Sequence, residues 1–281
     1  MRRIEDVSAP SSLAEAMAFL RRRPGAVPWA GGTALMTDPG TWDRPGGPSI
    51  LDLGGIPELR GVSRSARYVE LGAMVSLSAI LALPRGIGLG MLRECCLSSG
   101  TAFTRAMATL GGNLCARHRF MSCTPVLSCM DAALELRDAT GSRWSSVNRL
   151  VGEDGRPRFP EGSLLTRVRV PVARWSSWAL RQMGEARYPH PGAAVFVGAA
   201  RFEGGAIAEL RIAAAGLRLV RDRSMEMSLI GRRLPLSRKE SSTAGSSLAM
   251  KALELEADRD FAGLLESYTV SFLQRAPEEA L

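Results

Sequence analysis

Residues 27–35 read Val27-Pro28-Trp29-Ala30-Gly31-Gly32-Thr33-Ala34-Leu35, and residues 108–113 read Ala108-Thr109-Leu110-Gly111-Gly112-Asn113. Val27 to Ala30 is a short apolar run of the kind that forms a buried strand, and it runs straight into a glycine pair. Paired glycines let the backbone approach a phosphate and leave successive N–H groups free to point at it. Thr33, Thr109 and Asn113 add side-chain donors. Two such turns can grip one pyrophosphate from both sides, and they are equally compatible with two ordinary tight turns. Neither is a dinucleotide fingerprint: no G-x-G-x-x-G follows a strand, and there is no G-x-x-x-x-G-K-[ST].

Working outward, Ser12 and Glu15 form a capping box ahead of Leu13, Ala16, Met17 and Leu20, and Pro24-Gly25 ends that helix. A Gly- and Pro-rich loop runs from Asp38 to Pro48, and Ser49 to Leu53 is the next strand. Tyr68 to Ala73 predicts a strand ending at Gly72, and Ser76 caps a helix to Leu83. Leu89 to Cys96 and Pro125 to Asp131 are apolar helices. Ala133 to Arg137 and Ser163 to Val170 are strands, the latter closed by Pro171. Beyond Pro171, Trp178 to Gly184, Ala193 to Phe202 and Ala206 to Ala215 predict three successive strands. Gly204-Gly205 is the turn of a hairpin between the last two. A polar, Ser-rich loop is expected from Ser237 to Ser247, then helices over Leu248–Glu256 and Phe261–Gln274. Strands and helices mix without a strict alternating rhythm, so the fold class is α+β. The boundary near residue 171 leaves a small C-terminal α+β domain with a three-stranded antiparallel sheet and helices.

Length and composition agree. The 281 residues suit roughly two domains, and 46% apolar with 23% charged residues is near the globular average. No apolar run approaches the length of a membrane span, and acids at Glu5 and Asp6 stand where a signal peptide needs an apolar stretch. The expected location is the cytoplasm, with no membrane association. Net charge is +8, and 34 of the 36 basic residues are arginines, only Lys239 and Lys251 being lysines. Arginine suits planar contacts to phosphate or carboxylate. The arginines are interleaved with acids along the chain rather than massed, so nucleic-acid binding rests on charge alone and is not the expected function.

Other chemistries lack their residues. Five cysteines, two of them adjacent (Cys95, Cys96), do not suggest a disulfide framework. Cys115, Cys123 and Cys129 are spaced by eight and six, with no C-x-x-C, and are read as core thiols rather than a metal site. Asp52, Glu58 and Asp131 are isolated carboxylates suited to capping turns. The two histidines, His118 and His190, complete no nucleophilic or metal-binding set. Arg117-His118-Arg119 is a basic cluster that either faces a phosphate or partner or is a solvated surface.

The ordered set Ala30-Gly31-Gly32-Thr33-Ala34-Leu35, Ile50-Leu51-Asp52-Leu53 with Pro57-Glu58-Leu59-Arg60-Gly61, Leu71-Gly72-Ala73 and Thr109-Leu110-Gly111-Gly112-Asn113 is similar to the flavin-binding subunit of molybdenum hydroxylases, the xanthine dehydrogenase and carbon monoxide dehydrogenase group. The similarity continues through Leu127, Asp131-Ala132, Gly141-x-Arg143 and Leu164-Leu165-Thr166 to Gly231-Arg232, and so covers nearly the whole chain. It implies an FAD-binding domain of the PCMH/vanillyl-alcohol-oxidase type over residues 1–170, with subdomains of about 1–55 and 56–170, and the family's C-terminal domain over 171–281. It implies non-covalent FAD, no linking His or Cys being placed for attachment. The loop from Pro28 and Trp29 to Leu35 would wrap the pyrophosphate with the N–H groups of Gly31, Gly32 and Thr33. Thr109, Gly111, Gly112 and Asn113 would hold it from the second side, and Leu165 would sit near the adenine or the ring.

The same resemblance implies partners. A molybdopterin-binding large subunit and a small subunit with [2Fe-2S] clusters would deliver electrons to the flavin, which passes them to NAD⁺ or another acceptor. This chain itself would carry no metal. Two positions depart from the family pattern: Ser122 stands where an aspartate is usual, and Gln182, beside Arg181, where a lysine is. These departures leave open a second reading, a family member that acts as a flavin-free scaffold.

Overall fold

The computed structural model describes residues 4–37, 39–42, 47–116, 121–152, 158–183 and 193–275. The cluster at 117–119 and His190 lie outside the described residues. The elements in chain order are β1 (Asp6–Ser8), α1 (Leu13–Arg22), β2 (Val27–Trp29), a 3-10 turn (Leu35–Thr37), α2 (Pro39–Trp42), β3 (Ser49–Asp52), β4 (Val62–Arg64), β5 (Tyr68–Gly72), α3 (Leu77–Ala82), α4 (Gly90–Ser98), α5 (Ala102–Met107), α6 (Leu110–Leu114) and α7 (Cys123–Cys129). There follow β6 (Ala133–Asp138), β7 (Gly141–Ser146), β8 (Leu164–Pro171), β9 (Ser177–Met183), β10 (Ala194–Glu203), β11 (Ala206–Ala215), β12 (Leu219–Arg221), α8 (Arg223–Ser228), α9 (Arg238–Glu254) and α10 (Arg259–Leu273). The class is α+β, as the sequence predicts. Among the described residues no helix is long and apolar enough to cross a membrane.

The N-terminal layer is a parallel sheet of order β1-β3-β2. α1 lies on it because its apolar positions recur at helical spacing, burying Ala16, Met17, Phe19 and Leu20 with Leu51, Leu53, Ile56 and Leu59. Ser12 caps the helix by accepting from Glu15 N. The expected return bond differs by one residue, since the Glu15 carboxylate accepts from Ser11 N. Asp52 accepts from Gly54 N and closes a turn, whereas Glu58 accepts from Leu13 N and so caps the start of α1 from a distance.

The second unit is a mixed-order antiparallel sheet, β4-β5-β8-β6-β7, covered by α3, α4, α6 and α7. β8 stands between β5 and β6, although it follows both in the chain. Ala73 N donates to Thr166 O of β8, and Ala73 O in turn accepts from Gly111 N of α6. The glycine-bearing helix is thus hung from the middle of this sheet.

The C-terminal sheet has four strands, order β12-β11-β10-β9, rather than three. The extra strand is three residues long and pairs with Ala213 to Ala215. That is too short to show alternation in sequence. β10 is buried on both faces. Ala194, Phe196 and Ala200 face α9 and α10, while Val195, Val197 and Ala199 join the core beneath α4 and α7, as the two-residue period of a strand requires. Residues 237–247 are not a loop: Ser237 and Glu240 form a complete capping box, and α9 runs through the serines.

Candidate functional site

The two glycine turns are 80 residues apart in sequence and touch in space. A Cβ on Gly31 would lie 1.8 Å from Met107 O and 3.2 Å from Ala108 N, a separation only glycine permits. A Cβ on Gly112 would lie 3.8 Å from the Ala30 side chain. The backbone entering α6 therefore passes directly beside the first turn.

The first turn is shaped by Gly32, at φ +70, and by Trp29, whose ring lies 2.5 Å from where a Gly32 Cβ would stand. Trp29 meets Trp42 edge-on at 6.1 Å, and Trp42 Nε1 donates to Leu35 O across 2.9 Å. Leu53 N donates to Trp29 O and Met36 N to Gly32 O, closing the turn at both ends. Pro28, Trp29, Ala30, Gly31, Thr33, Ala34 and Leu35 are half-exposed. Among the described residues, the N–H groups of Gly31, Gly32 and Thr33 find no acceptor. Consecutive unpaired N–H groups around a left-handed residue form a concavity that binds anions.

The second turn is built differently. Leu110 N donates to Val75 O, Gly111 N to Ala73 O, Gly112 N to Thr109 Oγ1 and Asn113 N to Thr109 O. Its N–H groups are spent inside the protein. Gly111 is buried, and a Cβ there would stand 2.8 Å from Ala73, so this glycine serves close packing. Asn113 is 8% exposed. Its Oδ1 accepts from Cys123 N across 3.0 Å, and its Nδ2 donates to Ser122 Oγ across 3.4 Å. Facing the first turn, this side offers the bare Cα of Gly112.

The structure brings Ser122 and Gln182 near the same place but gives both internal partners. Ser122 Oγ lies 2.7 Å from Ser99 Oγ. Gln182 Nε2 donates to Ser98 Oγ across 2.8 Å and to Ser98 O across 3.3 Å. Leu165 is buried in the core behind β8, paired with Leu136. Cys95, Cys96, Cys123 and Cys129 are buried with free thiols. A hydrogen bond to Cys123 and burial push the Cys95 thiol well above its ordinary value, and burial does the same for Cys129. Among the described residues no three His, Cys, Asp or Glu side chains gather as a metal site.

Sequence reasoning missed Ser98 and Ser99, which join Ser122 and Gln182 to α4. No motif marks them; only the fold of α4 against α7 and β9 makes them adjacent.

The glycine turn with its open N–H groups lies within the region matched by a family of known proteins. The family model described as the FAD binding domain in molybdopterin dehydrogenase matches residues 2–173. The chain is 28% identical over 242 residues to caffeine dehydrogenase subunit beta of Pseudomonas sp. (strain CBB1), covering 81% of this chain and 78% of that one. It is 29% identical over 230 residues to aldehyde oxidase 2 of Cavia porcellus, covering 74% of this chain but only 17% of that relative's length. In fold it superposes on a chain of the carbon monoxide dehydrogenase of Hydrogenophaga pseudoflava with a TM-score of 0.81 at 22% identity, covering 100% of this chain and 98% of that one. A chain of quinoline 2-oxidoreductase from Pseudomonas putida 86 gives 0.75 at 19% identity, covering 96% and 98%. The chain belongs to the FAD-binding domains of molybdopterin dehydrogenases.

Proposed function

We propose that this chain is the flavin-holding, electron-passing subunit of a molybdenum-containing hydroxylase or dehydrogenase. The observation that carries the reading is the run of unpaired N–H groups at Gly31, Gly32 and Thr33, set against the bare face of Gly112. The donors suit the two negative charges of a pyrophosphate, and Gly112 adds no side chain on the opposite wall. This is the fit expected for non-covalent FAD, with Cys95, Cys96, Cys123 and Cys129 buried in the core. In this reading Gly31, Gly32 and Thr33 bind the pyrophosphate. Pro28, Trp29, Ala30, Ala34 and Leu35 shape the wall around it, and Thr109 and Gly112 form the opposite wall.

When bound, FAD supplies the step between one-electron and two-electron transfer. The protein's part is to fix its position and to keep water from its buried edge. The partners in this reading are a molybdopterin-binding subunit and a [2Fe-2S] subunit, and the acceptor is NAD⁺ or another oxidant. The names of the relatives support the subunit role and the molybdenum cofactor: one is a dehydrogenase subunit, and a fold neighbour is a carbon monoxide dehydrogenase whose description names a molybdenum cofactor. Residues 1–170 would hold the flavin and 171–281 would buttress them, in a protein working in the cytoplasm.

The test is an absorbance spectrum of the purified chain, alone and co-expressed with its genomic neighbours, followed by chromatography of the heat-released cofactor. Flavin bands and released FAD, close to one per chain, are expected. Absence of flavin from both preparations overturns the reading and leaves the scaffold role suggested by Ser122 and Gln182.

A further inference from the structure

Two hydrogen-bond arms converge on the carbonyl oxygen of Cys95, in the last turn of α4. Ser99 Oγ donates to it across 2.6 Å, and Ser98 Oγ shares its proton between it and Glu94 O, each 3.1 Å away. A helix end leaves its last carbonyls without intrahelical donors, and here two serine hydroxyls fill that vacancy. Ser99 has one hydroxyl proton, and the carbonyl can only accept it. The 2.7 Å contact between Ser99 and Ser122 must therefore carry the proton of Ser122. Ser122 in turn accepts from Asn113 Nδ2. The first arm runs Asn113 to Ser122 to Ser99 to Cys95, with every donor assigned. The second runs from Gln182 Nε2 through Ser98 Oγ to the same turn of α4, at the carbonyls of Cys95 and Glu94. One arm begins in the glycine helix, the other in β9 of the C-terminal sheet.

This arrangement leaves Ser122 no proton for a cofactor, because its only one points toward α4. Both amide donors of Gln182 are likewise turned to Ser98. The Asn113 side chain, adjacent to Gly112, holds Cys123 N and Ser122 at once. The position of Gly112 opposite Ala30 is thus set by groups that reach back to the C-terminal sheet.

We propose that Asn113, Ser122, Ser99, Ser98 and Gln182 form a two-armed brace that positions the second glycine turn for FAD. In it, Ser122 and Gln182 are positioning residues that do not touch the cofactor. The proposal rests on the FAD reading above. It also makes the C-terminal sheet part of the cofactor site without placing any of its atoms there. A neutral brace does by hydrogen bonding what a charged pair at these two positions would do by Coulomb attraction, without the cost of burying charge.

The test is FAD titration of the deflavinated full-length chain and its variants Ser122→Ala, Ser122→Thr, Gln182→Leu and the Ala/Leu double variant. The unfolding midpoint of each flavin-free protein serves as the structural control. Loss of one hydrogen bond in either arm is expected to weaken FAD binding about tenfold, and the double variant by about ten- to twentyfold rather than a hundredfold, because members of one network do not add. Ser122→Thr keeps the hydroxyl and is expected to bind like the parent. The unfolding midpoints should stay close to the parent's. Unchanged affinity in both single variants, or a double variant that multiplies the two effects, overturns the brace. So does affinity lost only in step with the unfolding midpoint. A parent chain that binds no FAD would instead overturn the cofactor reading itself.

Discussion

Arg221 donates from Nη1 to Asp131 Oδ1 across 2.6 Å, joining β12 of the C-terminal sheet to the end of α7. The same guanidinium donates to Ser128 O and forks onto both oxygens of Glu226. Arg221 is 5% exposed and Glu226 3%. Burial works against the arginine's charge, but Glu226 and then Asp131 more than offset it and hold its proton. Arg211 and Arg223 also reach Asp131, which sits at φ 50, a conformation that aspartate and asparagine tolerate. Arg221→Met strands a buried carboxylate and is expected to cost about 3–5 kcal/mol. Asp131→Asn keeps the turn and leaves the Arg221–Glu226 pair whole, so about 1–2 kcal/mol is expected. Urea unfolding of both variants checks the order, and equal losses would contradict it.

Gly31 and Gly112, one in each turn of the candidate site, should fail in different ways. Gly31→Ala drives a methyl into the Met107 carbonyl and is expected to cost about 2–4 kcal/mol by forcing the turns apart. Gly112→Ala meets only Thr109 Oγ1 at 3.0 Å and Ala30 at 3.8 Å. Its expected cost in stability is below about 1 kcal/mol, while FAD binding weakens at least tenfold because the gap is filled. Thermal unfolding of the flavin-free chains and FAD titration separate the two.

The buried thiols predict an alkaline limit. Cys95 and Cys129 hold their protons in the folded protein at pH values where an unfolded chain has lost them. The unfolded state then binds fewer protons, so stability is intact below the ordinary thiol value of 9.0 and falls as pH rises above it. Each thiol contributes a slope of about 1.4 kcal/mol per pH unit. Cys129→Ala should flatten the fall in unfolding free energy between about pH 9 and 10 by about 1 kcal/mol, since an unfolded thiol is only half ionised at the start of that range. Parallel curves for parent and variant would refute this.

Ser237→Ala removes the capping box of α9 and is expected to cost about 1 kcal/mol, read from the unfolding midpoint. This position also shows where the sequence is hard to read. Residues 237–247 carry so many serines that they resemble a loop. In the fold Ser241, Ala244, Gly245, Leu248, Ala249 and Ala252 form the buried face of α9, and a Cβ on Gly245 would stand 2.9 Å from Glu266 O of α10. Small residues were chosen there for a close helix–helix approach, not for solubility.

Elsewhere the long periodic segments could be read directly: α1, β10, β11 and their Gly204-Gly205 turn need little beyond alternation and punctuation. Short pieces could not. β4 and β12 are three residues each, and β7 exposes most of its length, so neither length nor pattern separates them from loop. At the site, the glycine pairs announced a backbone approach. They did not announce that the amides of one turn are open and those of the other are spent, because that depends on Ala73, Val75 and Thr109 arriving from elsewhere.

The placement of β8 has a consequence for the order of events during synthesis. β5 is made well before β8, the strand that joins it to β6, and its edge has no partner until β8 arrives. Only when residues 164–171 are free does the sheet close, Thr166 O receive Ala73 N, and Ala73 present its own carbonyl to Gly111. Pairing over such sequence separation is slow and leaves edges open to wrong partners. Cofactor loading must therefore come late, after more than half of the chain has been made, and a nascent chain stalled before β8 is one that quality control rather than flavin would meet first.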